Sequence, residues 1–172
     1  MTAYCALLRA VNVGGHGRLA MSDLKTICEG AGFGQVRTYI QSGNVVFASE
    51  FGADAVEDRL TQALATHLGA PVDVMVRTAL ELAAIRDANP FSGAPPNFVM
   101  VQFLTQTVAP EALAAIARPG GERLSAHGRE VFAYYPDGVG RSKLRLDRLG
   151  PGTARNINTV NALIALLEGV EG

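Results

Sequence analysis

A β-hairpin between two amphipathic segments is the sequence feature that most constrains the fold. From Gln35 to Phe47, apolar and polar residues alternate on both sides of Ser42-Gly43-Asn44, a turn that tolerates positive φ. Periodicity predicts the remaining elements of this half as strands at 3–10 and 72–77 and helices at 22–31, capped by Ser22, and at 54–68. The order β-α-β-β-α-β predicts a ferredoxin-like αβ plait.

The second half has the same order of predicted elements. Thr78-x-x-Glu81 is a capping box that opens a connecting helix, and Asn89-Pro90 ends this helix. The elements that follow are a strand at 98–104, a helix at 110–117, a hairpin at 123–135, a short helix at 143–149, a strand at 152–155 and a helix at 159–168. We therefore predict an α+β protein of two tandem plait halves, 1–78 and 79–172, with an extra C-terminal helix.

Composition disfavours several classes of function. The chain has a formal net charge of −1, and neither half has a marked excess of either charge. The overall charge therefore gives no reason to expect avid binding to nucleic acid or to a membrane. Cys5 and Cys28 are too few for a disulfide framework, and the three histidines lack metal-ligand spacing. The apolar stretch from Ala162 to Leu167 is too short to span a bilayer. We expect a cytoplasmic protein without a metal or a cofactor.

An arginine-bearing apolar run leads into a glycine-rich loop. The loop fits a dinucleotide-binding fingerprint formally, but the next strand enters a hairpin and has no acidic residue at its end, so a Rossmann site is rejected. Asn12, Gly14 and Gly15 either bind an anion through backbone N–H groups or form a strained connection that only such residues make. Arg9 is either a bidentate clamp on a carboxylate or phosphate, or half of a structural ion pair.

The second half contains the stronger predicted anion site. Between Arg141 and Arg155 there are five basic residues and one acid, a local net charge of +4. Ser142 is predicted to cap the short helix, whose N-terminus would attract an anion beside Arg141 and Lys143. The alternative is a solvated basic helix. Arg155 and Asn156 suggest a second anion grip, although Asn156 alone fits an ordinary helix N-cap. Ser42 and Asn44, in the hairpin turn, complete the candidate ligand-binding residues.

Four segments of the chain resemble a bacterial family catalogued as domain of unknown function number 1697. They are Leu7-Leu8-Arg9 with Asn12-Val13-Gly14-Gly15, the hairpin from Val36 to Phe47, Gly140-Arg141-Ser142-Lys143-Leu144, and Arg155-Asn156-x-Asn158-Thr159-Val160. The resemblance covers nearly the whole chain, and it implies tandem plaits but no reaction. The family usually has glycine where this chain has Ala10, and tryptophan where it has Ile157, which removes an aromatic platform.

These observations lead to one hypothesis and two alternatives. The hypothesis is that the candidate residues of the two halves face each other and bind a small phosphate-bearing ligand, such as a nucleotide or a phosphorylated metabolite. One alternative is a non-catalytic interaction or homo-oligomerisation module that pairs open sheet edges. The other is weak nucleic-acid binding through residues 141–155. Enzymatic activity stays open, because no acid, base or nucleophile can be assigned a partner.

Overall fold

Two four-stranded antiparallel sheets form the framework of the computed structural model, which describes residues 1–12 and 18–170. The chain divides into two compact units. The first comprises residues 1–82 together with the chain from Ala162 onward, and the second comprises residues 83–161. Each unit contains one sheet and its own helices, so the predicted α+β class and the tandem plait-like halves are confirmed.

The sheet of the first unit is covered by two helices on one face. Its elements are the strands β1 (Thr2–Leu8), β2 (Gly34–Tyr39), β3 (Asn44–Ser49) and β4 (Val74–Thr78) and the helices α1 (Met21–Gly30) and α2 (Ala53–Leu68). The strand order is β2-β3-β1-β4, and every neighbouring pair is antiparallel. This is the arrangement that the hairpin and its flanking helices predict.

The second unit has a sheet of matching strand order but fewer helical residues. Its elements are the strands β5 (Val99–Leu104), β6 (Arg123–His127), β7 (Glu130–Tyr134) and β8 (Gly152–Asn156), the helix α4 (Pro110–Ala114), and three 3₁₀ turns, Pro96–Phe98, Val139–Arg141 and Asp147–Leu149. The strand order is β6-β7-β5-β8. Two further helices, α3 (Ala79–Ala88) and α5 (Ile157–Glu168), contain residues of both units.

The core of the first unit lies between its sheet and its two helices. Tyr4, Ala6 and Leu8 point to one face of β1 and belong to a buried cluster with Leu60 and Leu64 of α2. This alternation is what a strand with a period of two imposes. The intervening side chains of β1 are also fully buried, so both faces of this strand are removed from water. A strand buried on both faces explains why its sequence alternates only weakly.

The two sheets repeat the same strand register. In the first unit Cys5 of β1 lies opposite Arg77 of β4, and in the second unit Val101 of β5 lies opposite Arg155 of β8. Both arginines are buried, and each is followed by a residue that caps the next helix. This shared pattern is an internal repeat that the sequence alone does not reveal, because only the buried arginine is common to the two segments.

The helix caps explain where α3 and α5 begin. The predicted capping box is confirmed: the N–H of Thr78 donates to Glu81 Oε1 at 3.0 Å, and the N–H of Glu81 donates to Thr78 Oγ1 at 3.1 Å. At α5, the N–H of Thr159 donates to Asn156 Oδ1 at 2.8 Å. Such caps typically contribute about 1 kcal/mol each to helix stability.

Three local predictions are wrong. Ser22 lies inside α1 and does not cap it; the preceding Ala20 occupies the N-cap position without a side-chain hydrogen bond. The helix predicted at 110–117 ends at Ala114, and the Arg118 guanidinium donates to the carbonyl group of Leu113, in the last turn, and to that of Ile116, beyond the end of the helix. The helix predicted at 143–149 is replaced by an extended segment and the 3₁₀ turn Asp147–Leu149.

Candidate functional site

A candidate site with a charged lining lies entirely within the second unit. It is a cavity of about 320 Å³ between the α4–β6 and β7–β8 connections, which is at the lower end of the range for small-molecule sites. It is lined by Pro119, Gly120, Glu122, Tyr135, Pro136, Asp137, Gly138, Arg141, Ser142 and Lys143. We call this cavity the strap pocket, after the strap, residues 141–148, that forms part of its wall.

A buried glutamate joins the two connections that form the strap pocket. The Glu122 side chain accepts hydrogen bonds from the Gly120 N–H, at 2.7 Å to Oε2, and from the Ser142 hydroxyl, at 3.0 Å to Oε1. Ser142 Oγ in turn accepts the N–H of Leu144 at 3.1 Å. The Ser142 hydroxyl therefore holds the strap against the α4–β6 connection and does not cap a helix.

The Glu122 carboxylate is held in its charged form. Burial raises the pKa of Glu122, but hydrogen bonds from its own N–H, from Ser142 and from Gly120 together bring the pKa below its ordinary value. The pKa of the neighbouring Tyr135 is raised, first by burial and then by the charge of Glu122. The strap pocket thus presents a fixed negative charge beside a phenol that keeps its proton.

Two cations of the strap pocket have no partner among residues 1–12 and 18–170. Arg141 and Lys143 line the cavity, and neither forms an ion pair or a side-chain hydrogen bond within the described chain. Both side chains are exposed, so their charges are available to a ligand. Arg141, Ser142 and Lys143 line one cavity, and their ligand-binding role stays a prediction. The helix N-terminus expected at this segment is absent, because residues 142–146 form neither helix nor turn.

A second, smaller cavity adjoins the strap pocket. It has a volume of about 240 Å³, and Pro119 and Lys143 line both cavities. The remaining lining residues are Ala115, Ile116, Ala117, Arg145 and Arg148. We call it the basic cleft, because three cations of the strap surround it. Along the strap, Arg141 lines only the strap pocket, Lys143 lines both cavities, and Arg145 and Arg148 line only the basic cleft.

The candidate residues of the first unit form a different structure. The Asn12 side chain donates to the carbonyl groups of Leu19 and Gln41, each at 2.8 Å, and accepts the N–H of Leu19 at 2.8 Å. It thus fastens the loop after β1 to the β2–β3 turn. Together with Arg18 and Ala20, these residues line a depression of about 460 Å³. Gly14 and Gly15 lie outside the residues that the structure describes.

The two loops around Asn12 contain unusual backbone conformations. Ala10, Asn12 and Ile40 all have positive φ, at 56°, 58° and 46°, in the left-handed region that strongly favours glycine. Gly43 has φ +82°, and a Cβ built on it would lie 2.5 Å from Val11 Cγ2. Glycine is therefore required at position 43 by the close approach of the two loops.

Arg9 and the hairpin-turn residues take part in local interactions. Arg9 lies just beyond the end of β1, and its Nη1 is 3.3 Å from Asp73 Oδ2, with both side chains about half exposed. This is the structural ion pair that the sequence left as an alternative. Asn44 is fully buried, and its Nδ2 donates to Tyr39 O at 3.0 Å and to Ser42 Oγ at 2.9 Å. The ligand-binding role predicted for these residues stays a prediction.

Arg155 and Asn156 lie at the junction of β8 and α5. Arg155 is buried, and its Nη1 donates to Thr153 Oγ1 at 2.6 Å and to Ala154 O at 2.9 Å. Asn156 caps α5, which confirms the simpler of the two interpretations of this residue. A second anion grip formed by these two residues stays a prediction.

The sequence analysis missed Glu122 and Tyr135. Glu122 follows two glycines at the start of a hairpin, a position at which a glutamate is ordinarily exposed. Tyr135 ends an apolar strand and resembles any core aromatic residue. The sequence of the strap does indicate its conformation. Its basic and apolar residues alternate with a period of two, which indicates an extended segment and not a helix.

The described ranges contain neither a metal-ligand cluster nor a membrane-spanning helix. Residues 1–12 and 18–170 contain no group of three or more histidine, cysteine, aspartate or glutamate side chains arranged to hold a metal ion. Over the same residues, every helix is too short or too polar to cross a bilayer.

Comparisons with known proteins identify the family and support the fold. No curated protein matches the sequence. A solved structure of a conserved bacterial protein, SP0830 from Streptococcus pneumoniae, is similar over 96% of this chain and 98% of its own, with a TM-score of 0.78 and 19% sequence identity. At this identity the likeness concerns the fold alone. Residues 1–132 match the family described as "Protein of unknown function (DUF1697)", and because this match covers more than half of the sequence, the chain belongs to that family.

Proposed function

We propose that the protein binds a small anionic ligand, a nucleotide or phosphorylated metabolite, in the strap pocket. The observation that carries this proposal is that Arg141 and Lys143, two cations without a partner among the described residues, line the same cavity. Charged side chains that are exposed singly are common on protein surfaces. Two such charges that converge on one concave site together with a buried, ionised carboxylate are the arrangement typical of a polar ligand site.

The chemistry of the strap pocket defines the ligand further. Arg141 and Lys143 would hold a phosphate or carboxylate group through charge-assisted hydrogen bonds. Glu122 Oε2 accepts one hydrogen bond from Gly120 and has acceptor capacity left for a ligand hydroxyl or amino group. The face of Tyr135 and the adjacent Pro136 offer apolar surface to a ring. The ligand therefore combines an anionic group with hydroxyl or amino donors, as ribose and sugar phosphates do.

A thermal-shift screen of nucleotides and phosphorylated metabolites tests this proposal. A ligand at about 100 times its Kd stabilises the folded protein by about 2.7 kcal/mol, which raises the Tm of a chain of this size by about 5–11 °C. Arg141→Ala removes one charge-assisted contact and is expected to weaken binding by about 10- to 100-fold.

The matched control is Arg123→Ala, which removes the same charge from the exposed edge strand β6, outside the lining of the strap pocket. It should bind the ligand as the wild type does. The proposal fails if no compound in a broad set raises the Tm, or if Arg141→Ala and Arg123→Ala behave alike.

A further inference from the structure

We infer that the ligand carries at least two linked phosphate groups and that these extend along the strap into the basic cleft. This inference rests on the proposed function, since it specifies the class of ligand that the strap pocket takes. It comes from the continuity of the two cavities, which share Pro119 and Lys143. A ligand held in the strap pocket by Lys143 already reaches the boundary of the basic cleft.

The backbone of the strap places its cations in a row. Residues 142–146 form neither helix nor turn, and Ser142 has the extended values φ −76° and ψ 141°. In an extended segment, residues two apart point to the same side and are separated by about 6.6 Å. Lys143 and Arg145 are exposed accordingly, while Leu144 and Leu146 are partly buried. The extended part of the strap thus carries Lys143 and Arg145, whereas Arg141 and Arg148 lie in the 3₁₀ turns at its two ends.

The basic cleft has a strong excess of positive charge. Lys143, Arg145 and Arg148 line it, and the nearest acid on the strap is Asp147. Asp147 accepts a hydrogen bond from Arg145 Nε at 3.2 Å. That bond uses only Nε, so the two terminal amino groups of the Arg145 guanidinium keep their donors for a ligand. One carboxylate among three cations leaves the cleft suited to a dianion.

A single phosphate cannot use all of these groups. Lys143 and Arg145 are two residues apart in an extended segment, or about 6.6 Å, so one phosphate bridges neighbouring cations such as these. It does not contact both Arg141, which lines the strap pocket, and Arg148, which lines the basic cleft. A diphosphate or triphosphate contacts Lys143 with one group and the basic cleft with the next.

Titration calorimetry with inorganic phosphate, pyrophosphate and tripolyphosphate tests the inference without assuming any organic part of the ligand. At fixed ionic strength, pyrophosphate should bind with a Kd at least about 10-fold lower than that of phosphate, at one site per chain. Arg148→Ala should reduce this advantage to about 3-fold or less, because it should weaken pyrophosphate binding far more than phosphate binding. Arg141→Ala should weaken all three probes, and the charge-matched control Arg123→Ala should weaken none.

The outcomes separate this inference from the proposed function. If the three probes bind equally well, or if Arg148→Ala weakens phosphate and pyrophosphate alike, the extended ligand is refuted while a small-anion site remains. If none of the probes binds and the metabolite screen is also negative, both proposals fail. If a single-stranded oligonucleotide binds far more tightly than tripolyphosphate, with a steep salt dependence, the strap is a nucleic-acid surface and the inference is overturned.

Discussion

Replacement of Ala10 by glycine is expected to stabilise the protein. Ala10 has φ +56°, and the left-handed conformation costs an L-residue about 1–2 kcal/mol. Glycine adopts this conformation freely, but it loses about 0.5–1 kcal/mol more conformational entropy on folding. The difference favours Ala10→Gly by about 0.5–1 kcal/mol, which corresponds to a rise in Tm of about 1–4 °C.

The matched control is the same substitution in a helix. Ala63 lies in the middle of α2, where glycine is about 1 kcal/mol less favourable than alanine. Ala63→Gly should therefore lower the Tm by about 2–4 °C, opposite in sign to Ala10→Gly. Differential scanning calorimetry on both variants measures the two shifts. If Ala10→Gly lowers the Tm as Ala63→Gly does, the left-handed conformation at position 10 carries no strain and the reasoning is refuted.

Two further predictions concern titratable groups. Because the folded-state pKa of Glu122 lies below its ordinary value of 4.5, its charge stabilises the fold above about pH 4.5, and this contribution is lost as the pH falls below that value. Chemical denaturation between pH 3 and 7 measures the free energy of unfolding, which should fall less steeply with decreasing pH for Glu122→Gln than for the wild type. The control is Glu111→Gln, at an exposed position, and parallel curves for Glu122→Gln and the wild type would contradict the prediction. Burial, aided by the charge of Glu29, raises the pKa of Cys28 to about 12, so iodoacetamide at pH 8 should modify Cys28 only after unfolding, as mass spectrometry can measure. Equal labelling of Cys28 in the folded and the unfolded protein would contradict this prediction.

The fold was predictable where local signals agree with tertiary packing. The hairpin around Gly43 has both the alternating pattern and a glycine at the position that requires it, and the predicted turn is present. Thr78 and Glu81 form a capping box whose two hydrogen bonds are local in sequence. The cap predicted at Ser22 was wrong, because a serine near a helix start is a good cap only at the N-cap position itself, and α1 begins one residue earlier, at Met21.

The candidate site was predictable only in part. Arg141, Ser142 and Lys143 were found from charge and spacing, because they are consecutive in the chain. Glu122 was not, because its role depends on a hydrogen bond to Ser142, twenty residues away in sequence. A long-range contact leaves no periodic trace in a single sequence. The ionised state of that carboxylate follows from the same contact, so the polarity of the strap pocket could not be predicted either.

The divergence of the two halves accounts for the position of the strap pocket. In the first unit the β3–β4 connection is the 16-residue helix α2, whose Val56, Leu60 and Leu64 are fully buried in the core cluster. In the second unit the corresponding β7–β8 connection contains no α-helix, and Met100 and Gln102 of the central strand β5 stay only half-buried. An apolar helix covers one face of the sheet in the first unit, whereas the corresponding connection of the second unit is held by the hydrogen bond between Ser142 and Glu122 and carries charged residues that line the strap pocket.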